Sequence, residues 1–241
     1  MKISAMVLVG KHEPYLEYCL KSIEPIVNEI IMVTPTGLNP MSLDKTLNIK
    51  TDYNILKQKG KEVNFAKWRN QCLDNVNGDW IWFADADEIV AHSDGTQPTR
   101  QEIKGLIKKH PDAQNFLFLT LHFMWNYYTL DASGTNDHIH NCMRLFKNDG
   151  RRFQGKVHEY IEMDESRTFL TNNPMIWHFG HCKGVENLAN RYRERHIPDN
   201  PYTGKMSKEQ LSAYLKTHNK LRGRLATVRY DGPLPRVMNL W

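Results

Sequence analysis

Residues 64–88 read NFAKWRNQCLDNVNGDWIWFADADE, and this stretch decides the architecture. Asn64 has the side chain to cap a helix, and Phe65, Trp68, Cys72 and Val76 recur at helical spacing along one side of it. Asn77-Gly78 breaks the pattern. Trp80-Ile81-Trp82-Phe83-Ala84 is then apolar at every position, as a strand covered on both faces of a sheet requires. It runs directly into Asp85-Ala86-Asp87-Glu88. Two carboxylates one residue apart, where an apolar strand stops, can direct oxygens into one cleft. Hard cations such as Mg²⁺ or Mn²⁺ take oxygen ligands and leave positions open for substrate phosphates. The plain alternative is an acidic strand end satisfied by backbone amides or a lysine. Placing three carboxylates directly after a buried run favours the cation, because desolvated negative charge needs a positive partner. Asp85 and Asp87 are the candidate metal ligands.

Working outward, strand and helix patterns alternate. Ile3 to Val9 is a near-continuous apolar run, and Pro14 to Val27 follows with Leu16, Cys19, Leu20 and Ile23 on one helical face. Glu29 to Val33 predicts a second strand and Tyr53 to Leu56 a third. Strands separated by helices predict a parallel β-α-β sheet, in which ligands gather beyond the carboxyl ends of the strands. Further on, the pattern predicts a helix over 100–109 and a long strand over 116–128. Strands over 142–146 and 156–161 are expected to flank an Asn148-Asp149-Gly150 turn, with a short strand over 175–179. Ser207 and Gln210 form a capping-box pair opening a helix expected to run into the 221–230 region.

Composition describes an ordinary globular chain, 241 residues with 40% hydrophobic and 24% charged, long enough for a sizeable core. The four cysteines are scattered without a Cys-x-x-Cys pair, which argues against a zinc site or a disulfide framework and makes a reduced, cytoplasmic setting the default. The opening apolar run is too short for a transmembrane helix and reads as a strand. Residues 183–241 hold 12 Lys and Arg against 5 Asp and Glu, a net of +7, while the rest holds 20 against 22. Such a basic end suits an anionic partner, or simply a solvated helix face, with Arg191, Arg193, Arg195, Lys216, Lys220, Arg222 and Arg224 as its charges.

The stretch 64–88 resembles the "aRN-x-al … gdWil-x-lDaDE" signature of the inverting family 2 glycosyltransferases, which have the GT-A fold. Val7 to Glu13 leading into Tyr15 to Ile23 is similar to that family's first strand and helix. Met143-Arg144-Leu145-Phe146, then Phe153 to Glu159, resembles its "RLF … f-x-g-x-vHE" segment, and Ile176 to His181 its "i-x-H-x-G" element. The blocks occur in family order across residues 1–182. The resemblance implies an α/β GT-A (Rossmann-like) mixed, mainly parallel sheet flanked by helices, with 1–90 as the nucleotide-sugar-binding half, 91–182 as the acceptor-side half, and 183–241 as a basic helical C-terminal extension.

The implied activity is metal-dependent, hexosyltransferase-like transfer of a sugar from a nucleotide-diphosphate donor to an acceptor hydroxyl, with inversion. Asp87 would bind Mn²⁺ or Mg²⁺ directly, Asp85 would face the ribose or a metal-bound water, and His178 would approach the diphosphate or complete the metal shell. Arg69, Lys67, Val9, His12 and Glu13 would lie near the donor. Glu159 would be the general base that takes the acceptor proton. For Arg69 a solvated helix face, for His178 a core imidazole, and for Glu159 a structural pair with His158 are the alternatives. Where the family often has an Asp-rich turn after the second strand, this chain has Thr34-Pro35-Thr36-Gly37, which leaves the nucleotide open with uridine as the default. Trp125-Asn126-Tyr127-Tyr128 has aromatic faces that suit a sugar or a base, although core packing is the commoner use. A nucleotidyltransferase would carry a Gly-rich phosphate loop near its start, where only Gly10 stands. A non-catalytic binding module and acceptors from glycan, lipid-linked sugar and protein side chain to a modified nucleic-acid base stay open.

Overall fold

In the computed structural model the described residues are 1–10, 13–34, 50–58, 64–124, 126–131, 140–156, 159–182 and 227–239. They fall into two compact units, residues 1–120, 141–177 and 233–241 in the first and residues 121–140 and 178–232 in the second.

The first unit is built on a mixed, mainly parallel sheet. Its strands are β1 (Ile3–Leu8), β2 (Glu29–Thr34), β3 (Asp52–Lys57), β4 (Trp80–Asp85), β5 (Glu88–Ala91), the first part of β6 (Asn115–Met124), β8 (His140–Lys147) and most of β9 (Thr168–His181). The order is β6-β8-β4-β1-β2-β3, and β9 pairs with β5. β1 runs parallel to both β2 and β4, β2 is parallel to β3, and β8 is antiparallel to β4. Period-two alternation divides the core between the two faces. Ile3, Ala5, Val7, Ile30, Met32, Trp80, Trp82 and Ala84 point into one cluster, while Met6, Ile31, Val33, Ile81 and Phe83 point into the other. α1 (Leu16–Ile23) and α3 (Arg100–Lys109) cover the first face with Leu16, Cys19, Leu20, Ile23, Ile103 and Ile107. α2 (Phe65–Leu73) covers the second with Ala66 and Cys72. A helix-covered parallel core explains why β1 and β4 are apolar at nearly every position.

The helix signals held where they were local. Asn64 caps α2, its Oδ1 accepting the Lys67 amide at 2.8 Å. Thr99 and Glu102 close a capping box on α3 that the sequence reading had passed over. Two expectations are corrected. Residues 156–161 form no strand among those described; Gln154 and Tyr160 make an isolated bridge that folds this segment on itself, while Phe153 and Ile161 are buried. The segment also reaches α2, where the Asn70 amide takes both backbone bonds of Phe153, which leaves Phe153 no strand partner. The helix expected to run into 221–230 is contradicted at Thr227–Arg229, which forms β10 and pairs antiparallel with β7 (Thr129–Asp131). Most of the basic extension, 183–226, lies outside the described residues.

The second unit is aromatic at its centre. Phe123 stacks on Phe179 with ring centroids 4.8 Å apart, Tyr230 meets Phe123 edge-on, and Tyr127 meets Phe179 edge-on. Tyr127 therefore serves packing here, Tyr128 is exposed, and Trp125 lies outside the described residues. None of the four cysteines is in a disulfide. Among the described residues no helix is long and apolar enough to cross a membrane.

Two glycines test this packing with opposite signs. A Cβ on Gly78 would lie 2.5 Å from Ser4 Oγ and 2.6 Å from the Ser4 amide, so Gly78→Ala should destabilise by about 1–3 kcal/mol. Gly105, exposed on α3, has nothing within 4 Å of its added Cβ. Gly105→Ala should therefore stabilise by about 0.5–1 kcal/mol, and urea unfolding of both variants checks the pair.

Candidate active site

The acidic motif occupies a tight turn. Asp85 ends β4, Ala86 and Asp87 make the turn, and Glu88 begins β5. Glu88 closes it, its Oε2 accepting the Asp85 amide at 3.3 Å. α1 fixes the turn from behind: the Cys19 thiol donates to the Asp85 carbonyl, and Ser22 Oγ accepts the Val90 amide. The sequence reading treated the strand as simply ending here and missed β5. The return strand matters because it buries Asp87 and Glu88 while the Asp85 side chain stays 41% exposed.

Two arginines organise the carboxylates. Arg69, on the inner face of α2, is fully buried; Nη1 donates to the Ala84 carbonyl at 2.9 Å, Nη2 to Asp85 Oδ1 at 2.5 Å, and Nε to Glu159 Oε1 at 3.2 Å. Residues far apart in sequence, Asp85 and Glu159, are thus held by one guanidinium. Arg144, from β8, grips both oxygens of Glu88 and lies 3.5 Å from Asp85 Oδ2. Both guanidiniums lie over the Phe83 ring, at 5.2 and 4.7 Å from its centroid. Burial works against the Arg144 charge, yet Glu88 and then Asp85 hold its pKa above the ordinary value. Arg144 was quoted in the sequence motif without a role. Its signal was a single cation in an otherwise apolar strand, Cys142-Met143-Arg144-Leu145-Phe146.

The neighbourhood remains negative. Burial first, and then Glu88, Asp87, Asp85 and Glu13, push the Cys19 thiol well above its usual pKa. Among the described residues, Glu13, Asp85, Asp87, Glu88 and Glu159 thus outnumber Arg69 and Arg144. Glu13 folds back over Gly10, where a Cβ would lie 2.4 Å from its Oε1. Val9 continues β1, its amide bonded to the Val33 carbonyl at 3.0 Å, and His12 lies outside the described residues.

The remaining candidates lie elsewhere. Lys67 is exposed on the outer side of α2 and lines a cleft with Asn64, Asn70 and residues 153–156. None of Asp85, Asp87, Glu88 and Glu159 lines that cleft. His178 belongs to the second unit, with its Nδ1 2.7 Å from His122 Nδ1, where one ring nitrogen donates to the other. His181 lies near, its ring centroid 6.2 Å from that of His178. Among the described residues no group of three or more His, Cys, Asp and Glu is arranged to hold a metal ion.

No family model matches the chain. It is 26% identical over 203 residues to the SPbeta prophage-derived glycosyltransferase SunS of Bacillus subtilis (strain 168), and equally to glycosyltransferase SunS of Bacillus phage SPbeta. The match covers 79% of this chain and 42% of the relative, so the chain corresponds to less than half the length of either. Its fold is similar to that of S. aureus TarS, with a TM-score of 0.51 at 13% identity over 87% of this chain and 46% of TarS. TarS 1-349 in complex with UDP also gives 0.51, at 12% identity over 91% of this chain and 72% of that one. These likenesses agree with the mixed α/β GT-A architecture expected from the sequence.

Removing a buried cation should cost far more than removing an exposed one. Arg144→Met removes the guanidinium that holds both oxygens of buried Glu88 and should destabilise by roughly 3–5 kcal/mol. Lys21→Met, which breaks only the exposed Glu17 pair on α1, should cost about 0.3–0.5 kcal/mol. Thermal unfolding of the two variants makes the comparison. Cys19, and Cys72 whose thiol burial pushes up to about 12, should both resist iodoacetamide at pH 8 until the chain unfolds, as read by mass spectrometry.

Proposed function

We propose that the chain is the catalytic part of a glycosyltransferase that moves a sugar from a nucleotide diphosphate, with uridine as the default base, to an acceptor hydroxyl with inversion. One observation carries this reading: the buried Arg69 guanidinium joins Asp85 of the acidic turn to Glu159. The turn lies at the carboxyl end of a parallel strand, where ligands of open α/β sheets bind. The similarity to the two SunS glycosyltransferases and the fold likeness to a UDP-bound TarS point the same way.

A divalent cation fits the donor set. The carboxylates are hard oxygen ligands in excess over the local guanidiniums, and Mg²⁺ sites typically use one or two carboxylates with waters and substrate phosphates completing the shell. Asp87 would hold Mn²⁺ or Mg²⁺, with Asp85 beside it. The ion would supply charge compensation for the departing nucleotide diphosphate.

The chain's own residues divide the remaining tasks. Arg69 and Arg144 fix Asp85 from its two oxygens, which orients the turn and spends none of the turn's negative charge on mobile partners. Glu159, 15% exposed, has Oε1 held by Arg69 while Oε2 is the oxygen that would accept the acceptor proton as the hydroxyl attacks the anomeric carbon. A base pinned at one oxygen keeps its direction, and orientation is a large part of catalysis by a positioned group.

Release of nucleotide diphosphate from a panel of UDP-, GDP- and dTDP-sugars, with and without Mn²⁺, tests the activity. Asp87→Asn should abolish turnover with the fold intact by circular dichroism. Glu159→Gln should leave donor affinity nearly unchanged and lower turnover by about 10²–10⁴-fold. Loss of donor binding together with thermal stability in Glu159→Gln would instead assign that carboxylate to structure.

A further inference from the structure

We infer that Glu88, the third carboxylate of the acidic run, is a positioning residue: with Arg144 it aims Asp85 at the donor, and it stands outside the cation's shell. The inference deepens the glycosyltransferase reading and rests on it.

Place in the sequence offers Glu88 as a third ligand, since it follows Asp87 directly. Its surroundings give it another task. Glu88 opens β5 and is 4% exposed, and every residue of that strand is buried. Ser22 Oγ of α1 accepts the Val90 amide at 3.1 Å, so the strand that carries Glu88 is pinned from behind. Both carboxylate oxygens are engaged by Arg144: Oε2 accepts from Nε at 2.6 Å, and Oε1 accepts from Nη2. A carboxylate held in this two-pronged way has its direction as well as its charge committed to the guanidinium. An ion that took Glu88 as a ligand would have to break the fork and strip a buried guanidinium of its closest carboxylate.

Glu88 reaches Asp85 by two routes. Its Oε2 accepts the Asp85 amide at 3.3 Å, which closes the turn on itself. It also reaches the Asp85 side chain through Arg144, because the Nη2 that binds Glu88 Oε1 lies 3.5 Å from Asp85 Oδ2. Arg69 takes the other oxygen, Oδ1, at 2.5 Å.

That bracketing matters because the outer torsion of an aspartate is broad when nothing holds it. The Asp85 side chain is 41% exposed, yet a guanidinium faces each of its oxygens. Glu88 sets where the second guanidinium stands, and the Phe83 ring, 4.7 Å from it, steadies the same group. The carboxylate that meets the donor is therefore oriented by one that does not.

The test keeps the net charge constant. Glu88→Gln/Arg144→Gln removes one negative and one positive charge together, so the field on an ion at Asp87 changes little. Because the pair is lost as a unit, this variant should melt within a few degrees of the parent and well above either single substitution. Arg144→Lys keeps a cation for Glu88 but lacks the second arm that faces Asp85. Mn²⁺ is titrated into the parent and both variants by electron paramagnetic resonance, with and without UDP. Both variants should bind Mn²⁺ alone within about twofold of the parent, and should lose about tenfold or more of the tightening that UDP brings. Loss of Mn²⁺ binding without UDP in the double variant, to the level of Asp87→Asn, would make Glu88 a ligand and overturn the assignment. Parent-like tightening by UDP in the double variant would reduce the pair to a contact of the fold and overturn it as well. If the double variant does not fold, Arg144→Lys decides by the same tightening. No tightening by UDP in the parent removes the donor reading and this role with it, whereas tightening that survives in the variants removes the role alone.

Discussion

A guanidinium with no access to water must have its hydrogen bonds met by protein, and Arg69 is in that position. It meets the requirement with a backbone carbonyl at the end of β4, the first carboxylate of the acidic turn and a carboxylate from the segment that follows the 153–156 loop. Helix, strand end and loop are therefore set relative to one another by one side chain. Burying such a network seldom adds net stability, since desolvating the ions costs about as much as their attraction returns. Its value is geometric: it fixes where Asp85 and Glu159 stand.

The electrostatics explain why that geometry suits a charged substrate. The turn and its surroundings carry more carboxylates than the two arginines neutralise, and burial first, with Glu88, Asp87, Asp85 and Glu13 adding to it, pushes the Cys19 thiol up. A nucleotide diphosphate is itself negative and would be repelled by such a surface. In the proposed function a divalent cation between the two would resolve the conflict, because it would lower the charge on both at once.

Much of the fold was legible because it rests on local signals. The alternation of β1, α1, β2 and β4 follows from runs of apolar residues and their breakers, and Asn64 caps α2 as its side chain predicts. What failed depended on distant partners. Residues 156–161 have a strand-like composition, but Tyr160 exchanges both its backbone bonds with Gln154 in an isolated bridge. Thr227 to Arg229 pairs with β7, a partner nearly a hundred residues away, so no local reading could see it as strand. Likewise Asp85, Asp87 and Glu159 were identified by motif, whereas the roles of Arg144 and Glu88 appear only once β8 is laid beside β4 and the chain returns as β5.

The account turns on cation and nucleotide diphosphate binding together at Asp85 and Asp87. Titrating Mn²⁺ into the protein by electron paramagnetic resonance, with and without UDP, measures that coupling directly. The account predicts weak Mn²⁺ binding alone, markedly tighter binding with UDP, and loss of the enhancement in Asp87→Asn. UDP binding of equal strength in chelator, with no effect of UDP on Mn²⁺, would contradict it.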